Sequence, residues 1–201
     1  MEPVNLNPIQ EIYHLWEPVY PYLSQQILEL YNRKDGTILE IGPFSGVIFN
    51  LQKRNIGSSF LIAAFPPGMG NFFREETMKQ KVEDKVRVIE TNPALTGIKE
   101  NSIELAIFRG AFFFPSMFKV NFSAIDRILK INGIAFIGGG FGKFTPDSVI
   151  KDIVKRSRDL NFQIGKIEID ENRLIHEIQN EGVKGKIKVI IEGGLWVLME
   201  K

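Results

Sequence analysis

The sequence predicts a doubly wound α/β fold: a mostly parallel, seven-stranded sheet with an antiparallel C-terminal hairpin, preceded by two N-terminal helices. Three observations predict it. Short, nearly continuous apolar runs recur from residue 36 onward, as strands buried on both faces require. Longer stretches with helical spacing separate them, and that alternation gives a parallel sheet covered by helices. Near the end, two β-branched runs flank Gly193-Gly194, the pattern of a hairpin. No linker, repeat or charge block divides the chain. Residues 1–201 therefore read as one domain, with a helical segment over 1–35, a core over 36–142 and a closing helix and strands over 143–201.

In chain order, Ile9, Ile12, Tyr13 and Trp16 fall at i, i+3, i+4 and i+7, an amphipathic helix over 8–16. Pro18 and Pro21 break it, and Leu23, Ile27, Leu30 and Tyr31 carry a second helix. The strands are Thr37–Gly42, Ser59–Phe65, Val86–Glu90, Ile103–Phe108 and Ile134–Ile137. Phe118, Ile125, Ile128 and Leu129 form one helical stripe; Val149, Ile150, Ile153, Val154 and Leu160 form another. Thr145-Pro146-Asp147 before the second stripe reads as N-cap, first-turn proline and first-turn acid. Residues 164–170 look like a strand and 171–180 like a helix. Lys186–Glu192 and Leu195–Met199 complete the hairpin.

Composition excludes several functions. With 25 basic and 24 acidic residues the net charge is +1, so bulk charge gives no reason to expect nucleic acid or an anionic membrane as a partner. The absence of cysteine excludes disulfides, thiolate metal sites and cysteine nucleophiles. His14 and His176 stand far apart, without metal-ligand spacing, and no metal is expected. The opening Met1-Glu-Pro-Val-Asn-Leu-Asn-Pro8 lacks the features of a signal peptide, and the expected location is cytoplasmic. No apolar run approaches a membrane span.

In an open parallel sheet, ligands bind beyond the carboxyl ends of the strands. The first strand ends in Glu40-Ile-Gly-Pro-Phe-Ser-Gly46, followed by an apolar helix. Glycines there suit either a tight turn or a ligand lying close to backbone amides. The dinucleotide pattern G-x-G-x-x-G fails, because Phe44 replaces the middle glycine and the third is missing. Gly138-Gly-Gly-Phe-Gly-Lys143 is no phosphate loop, since Phe144 stands where Ser or Thr should follow the lysine.

Glu40-x-Gly42-x-Phe44-x-Gly46 resembles motif I, E/D-x-G-x-G-x-G, of the class I S-adenosylmethionine-dependent methyltransferases, whose domain is Rossmann-like. Val86–Asn92 resembles the family's third strand and following loop, Asn101–Ala111 its fourth strand, and Arg127–Ile137 its fifth. The likeness spans about residues 36–142. It implies S-adenosylmethionine as cofactor, with Gly42, Phe44 and Gly46 lining its methionine half and Glu40 fixing the loop and the ammonium. Thr91 and Asn92 would sit against the adenine; Phe108, Arg109 and Gly110 would face the sulfonium and the acceptor. The family's N-terminal segment folds over the cofactor as a lid, here residues 1–35.

One departure stands out. The family ends its second strand with an acid that holds the ribose, whereas this chain reads Ile62-Ala-Ala-Phe-Pro-Pro67. Losing that contact should cost roughly 1.5–3 kcal/mol of affinity unless another group, such as Glu75 or Glu76, supplies it. Phe113 and Phe118 suit either core packing or an apolar acceptor pocket, and Trp16 suits packing of its stripe. His14 and Tyr20, with polar tips, and Arg109 are the candidate catalytic residues. His176 belongs to a solvated face. The expected activity is methyl transfer to a small, partly apolar molecule by in-line displacement, with a homodimer as an ordinary possibility. The alternatives are a methyltransferase-like scaffold that binds without catalysis and a nucleoside-binding reductase.

Overall fold

The computed structural model describes residues 5–180 and 185–201; residues 1–4, at the start of the segment that lacks signal-peptide features, lie outside them. The strands are β1 (Thr37–Ile41), β2 (Ser59–Ala64), β3 (Val86–Glu90), β4 (Ile103–Arg109), β5 (Leu129–Gly139), β6 (Lys186–Ile190) and β7 (Leu195–Glu200). The helices are α1 (Asn7–Leu15), α2 (Tyr20–Leu30), α3 (Val47–Lys53), α4 (Met69–Lys79), α5 (Phe122–Ile128), α6 (Asp147–Gln163) and α7 (Glu171–Asn180), with a 3₁₀ turn over Glu17–Val19. The strands form one sheet in the order β3-β2-β1-β4-β5-β7-β6. β1 to β5 pair in parallel, and β7 runs antiparallel to β5 and β6. The chain reverses its direction of travel across the sheet between β1 and β4, so the crevice at the switch point opens beyond Ile41 and Arg109.

Ile38, Leu39, Leu105, Ile107, Ala135 and Phe136 are fully buried, which is why these strands read as continuous apolar runs rather than alternating ones. Trp196 on β7 is also fully buried and stacks on Phe136 at 4.2 Å. Its indole N–H has no acceptor among the described residues, a cost of about 1–3 kcal/mol set against the burial of a large ring.

Four local expectations need correction. The second helix starts at Tyr20, with Pro21 inside its first turn; the amide that proline lacks has no helical acceptor there, so nothing is lost. Thr145 is not the cap of α6: its hydroxyl donates to the Phe141 carbonyl, and Pro146 takes the N-cap position. The stripe over 118–129 is shorter than read. The Asn121 side chain accepts from the Ala124 amide at 2.9 Å and starts α5 at Phe122, while Leu129 opens β5. Residues 164–170 form no strand and join neither free edge of the sheet, β3 or β6. Ile164 and Gly165 close α6, and the Ile167 amide donates to the Phe113 carbonyl at 2.8 Å.

Candidate active site

The loop after β1 is built around a buried acid. Glu40 is fully buried, and its carboxylate accepts from the Ile48 amide at 2.8 Å and the Val47 amide at 3.3 Å. It thereby satisfies two first-turn donors of α3 that would otherwise lack partners. Gly42 holds φ +88°, its amide donates to Ala63 at 2.9 Å, and the Ser45 hydroxyl donates back to the Gly42 carbonyl at 2.8 Å. The left-handed backbone at Gly42 is the reason this position needs glycine.

Burial pushes the Glu40 carboxyl up from its ordinary value of 4.5 to about 7, against the opposing pull of Arg109 and the α3 amides. A folded-state value above the unfolded one means the folded protein holds a proton the unfolded chain has released between these limits. This group's contribution to stability is therefore full below pH 4.5 and falls by about 3 kcal/mol as pH rises to 7. Denaturant unfolding of the wild type and of Glu40→Gln at pH 5 and pH 8 checks it. The stability difference between the two proteins should move against the wild type by about that amount at the higher pH.

Above the loop, the crevice is filled by rings. A Cβ on Gly42 would lie 2.9 Å from Phe108 and 3.4 Å from Phe65, and one on Gly46 would collide with Tyr20. Phe65, Phe108 and Phe118 pack edge-on or tilted with centroids 5.3–5.9 Å apart, and all three are buried. Tyr20, also buried, donates from its hydroxyl to the Tyr13 carbonyl at 3.0 Å. Burial pushes its phenol up to about 12, partly offset by Arg109, so Tyr20 is neutral across the physiological range.

Arg109 is 5% exposed at the end of β4. Its guanidinium donates to the Phe44 carbonyl at 2.8 Å and sits 4.8 Å from the Tyr20 ring centroid and 5.1 Å from that of Trp16. Among the described residues no carboxylate lies within ion-pair distance of it. On the far side of Arg109 a cavity of about 1010 Å³ opens, at the upper end of the range for ligand sites, roughly 300–1,000 Å³. Its floor is Phe44, Arg109 and Gly110, and one wall runs along Gly139, Gly140 and Leu195. Trp16, stacked on Phe141 at 4.5 Å, and Phe113 and Phe114 add aromatic surface, and α6 forms the outer wall.

Of the residues singled out in the sequence, Phe44, Arg109 and Gly110 meet at this cavity, and Tyr20 lies directly behind Arg109. Glu40, Gly42 and Gly46 lie on the closed side, beneath the rings, of which Phe108 is one. Thr91 and Asn92 are engaged in their own loop: the Thr91 hydroxyl donates to Thr96 at 2.6 Å, and the Asn92 side chain accepts from Ala94 at 3.0 Å. His14 is exposed, bonded to Glu17 at 2.8 Å, and does not line the cavity. Its ring, Glu17 and the buried Glu76 bring three ligand-type atoms within 4.8 Å of one another, and Lys79 neutralises Glu76 at 2.6 Å. Glu75, on the same helix, is exposed, and Glu76 is buried and paired with Lys79. His176 is exposed on α7.

Sequence reasoning missed the basic residues of the outer wall, Lys151, Lys155 and Arg158, with Lys166 just beyond the helix. Their i, i+4, i+7 spacing was the available signal.

The arrangement fits an adenosyl sulfonium at one end of the loop and not at the other. Phe44, Arg109 and Gly110 border open volume, whereas the space over Gly42 and Gly46 is held by Phe65, Phe108 and Tyr20.

No family model matches the sequence, and no curated protein matches it. Solved structures do match. A proposed S-adenosyl-L-methionine-dependent methyltransferase from Methanococcus maripaludis superposes with a TM-score of 0.79 at 21% identity, over 100% of this chain and 96% of its own. A SAM-dependent methyltransferase from Aquifex aeolicus gives 0.63 at 13% identity, over 98% of both chains. Geranyl diphosphate C-methyltransferase from Streptomyces coelicolor, solved with Mg²⁺, geranyl diphosphate and S-adenosyl-L-homocysteine, gives 0.58 at 12%, over 89% of this chain and 76% of its own. The chain has the fold of the S-adenosylmethionine-dependent methyltransferases, antiparallel seventh strand included. No helix among the described residues is long and apolar enough to cross a membrane.

Proposed function

We propose that this protein is an S-adenosylmethionine-dependent methyltransferase acting on a small, partly apolar molecule. The observation that supports it most is the cavity that starts at the motif I loop, at Phe44, and runs past the end of β4 to β5. One space of that size borders both the cofactor loop and the region where an acceptor would lie. When bound, S-adenosylmethionine supplies a methyl group already activated by its sulfonium, so the protein's task is alignment and exclusion of water. Phe44, Arg109 and Gly110 would hold its methionine end. Trp16, Phe113 and Phe114 would present apolar surface to the acceptor and keep water away. Tyr20, a neutral phenol behind Arg109, is not a proton acceptor in this reading.

A second reading, a scaffold that binds without catalysis, is favoured by the rings over Gly42 and Gly46 and by the apolar end of β2. Calorimetry with S-adenosylmethionine and S-adenosylhomocysteine separates the two. Methyl transfer predicts saturable binding, one to two powers of ten weaker than in a relative with the ribose acid. No heat at millimolar ligand would leave the scaffold as the reading that stands.

A further inference from the structure

The charges of α6 are sorted by face. Lys151, Lys155 and Arg158 lie on the side that borders the cavity, together with Val154 and Phe162, which are 53% and 86% exposed. Asp152 and Arg156 pair with each other at 3.0 Å and, like Asp159, do not border the cavity. Lys166 joins the basic group at the rim, its ammonium 5.8 Å from the Phe113 ring centroid. None of Lys151, Lys155 or Arg158 has an ion-pair or hydrogen-bond partner among the described residues, and Glu168 is the one acid lining the cavity. The floor adds the buried guanidinium of Arg109, also without a carboxylate partner. Between floor and rim the walls are aromatic and aliphatic: Trp16, Phe113, Phe114, Phe141 and Leu195. A chain with a net charge of only +1 has thus gathered five cations around one apolar chamber.

We propose that this chamber binds an amphipathic organic anion, a carboxylate or phosphate monoester head on an apolar body. The head is held by charge-assisted hydrogen bonds from the basic wall, and the body lies against the rings. A neutral apolar molecule would leave the cations idle, and a small polar anion would leave the aromatic walls against water. This deepens the reading of the cavity as an acceptor site by naming the acceptor's class, and it is tested without cofactor so that the two can fail separately.

The chain has two tryptophans; Trp196 is fully buried against Phe136, whereas Trp16 lines the cavity, so indole fluorescence reports occupancy. Decanoate and decyl phosphate are titrated beside decanol and inorganic phosphate. At least one amphipathic anion should bind about ten-fold or more tightly than decanol and than phosphate alone; which one does so identifies the head. The double variant Lys155→Glu/Arg158→Glu, on exposed side chains, should lower that affinity about ten-fold or more, leave decanol unaffected and keep the circular dichroism of the wild type. Equal binding of decanol and both anions, equal binding of phosphate and decyl phosphate, or indifference to charge reversal would each overturn the proposal. Anion binding in a protein that takes no S-adenosylmethionine would retain this site and remove methyl transfer; cofactor binding without anion preference would do the opposite.

Discussion

Replacing Tyr20 with alanine should tighten S-adenosylmethionine binding by about ten-fold or more while destabilising the fold by roughly 3–5 kcal/mol. The two effects share one cause. The Tyr20 ring is 3% exposed and occupies the position a side chain on Gly46 would take, so it stands where the motif I loop would meet a ligand. A ligand that must displace it binds only the fraction of molecules in which it has moved, and apparent affinity falls by that fraction. Removing the ring removes the penalty along with its packing against Tyr13, its hydroxyl bond to the Tyr13 carbonyl and one of the two faces that hold Arg109. Tyr20→Phe is the control: it keeps the ring and loses only the hydroxyl, so its cofactor affinity should match the wild type. Calorimetry on both variants, at a temperature where circular dichroism shows them folded, checks this. Weaker binding by Tyr20→Ala would mean that the ring is a contact to the cofactor and not an obstacle to it.

Gly138→Val should cost about 4 kcal/mol or more and lower the melting temperature by about 10 °C or more, read by thermal unfolding. Gly138 pairs with Trp196 across the β5–β7 ladder at φ +148°, a conformation strained for any side chain. A Cβ there would collide with the Leu195 carbonyl oxygen and lie 2.8 Å from Trp196 Cα. These are backbone atoms of a paired strand and cannot swing away as a side-chain tip could. The Gly138-Gly-Gly140 run that imitates a phosphate loop is thus a packing device. It lets β7 cross close to β5, and a Cβ on Gly140 would likewise strike Gly193 and Gly194.

The strands and the β1 loop were legible because their signals are local. Apolar runs mark Ile38–Ile41 and Leu105–Phe108, and Glu40 with Gly42 marks the turn. What could not be read is which part of the sheet edge stays open. That depends on Tyr13, Tyr20, Phe65, Phe108 and Phe118 converging from five separate segments, and nothing in the spacing of one segment records its meeting with another. The strand expected over 164–170 failed for a similar reason: alternation shows that a segment could pair, not that the chain carries it to a sheet edge. The basic wall of α6 was visible in principle. Its apolar stripe, Val149, Ile153 and Leu160, points to the core, and the cations that adjoin it look like a solvated face until the cavity is seen beside them.

The cavity has two very different sides. Gly139 and Leu195 pair in a hydrogen-bonded ladder, and just past its end a Cβ on Gly140 would strike the Gly193 and Gly194 backbone. Opposite them, α6 buries little more than Ile153 and Ser157 and leaves its basic residues exposed. Substitutions along that helix can therefore redraw the contour and charge of the chamber at small cost to folding, while the ladder holds the opposite wall in register. Ligand preference in this architecture can diversify by exchanging a single helix, leaving the sheet beneath it untouched.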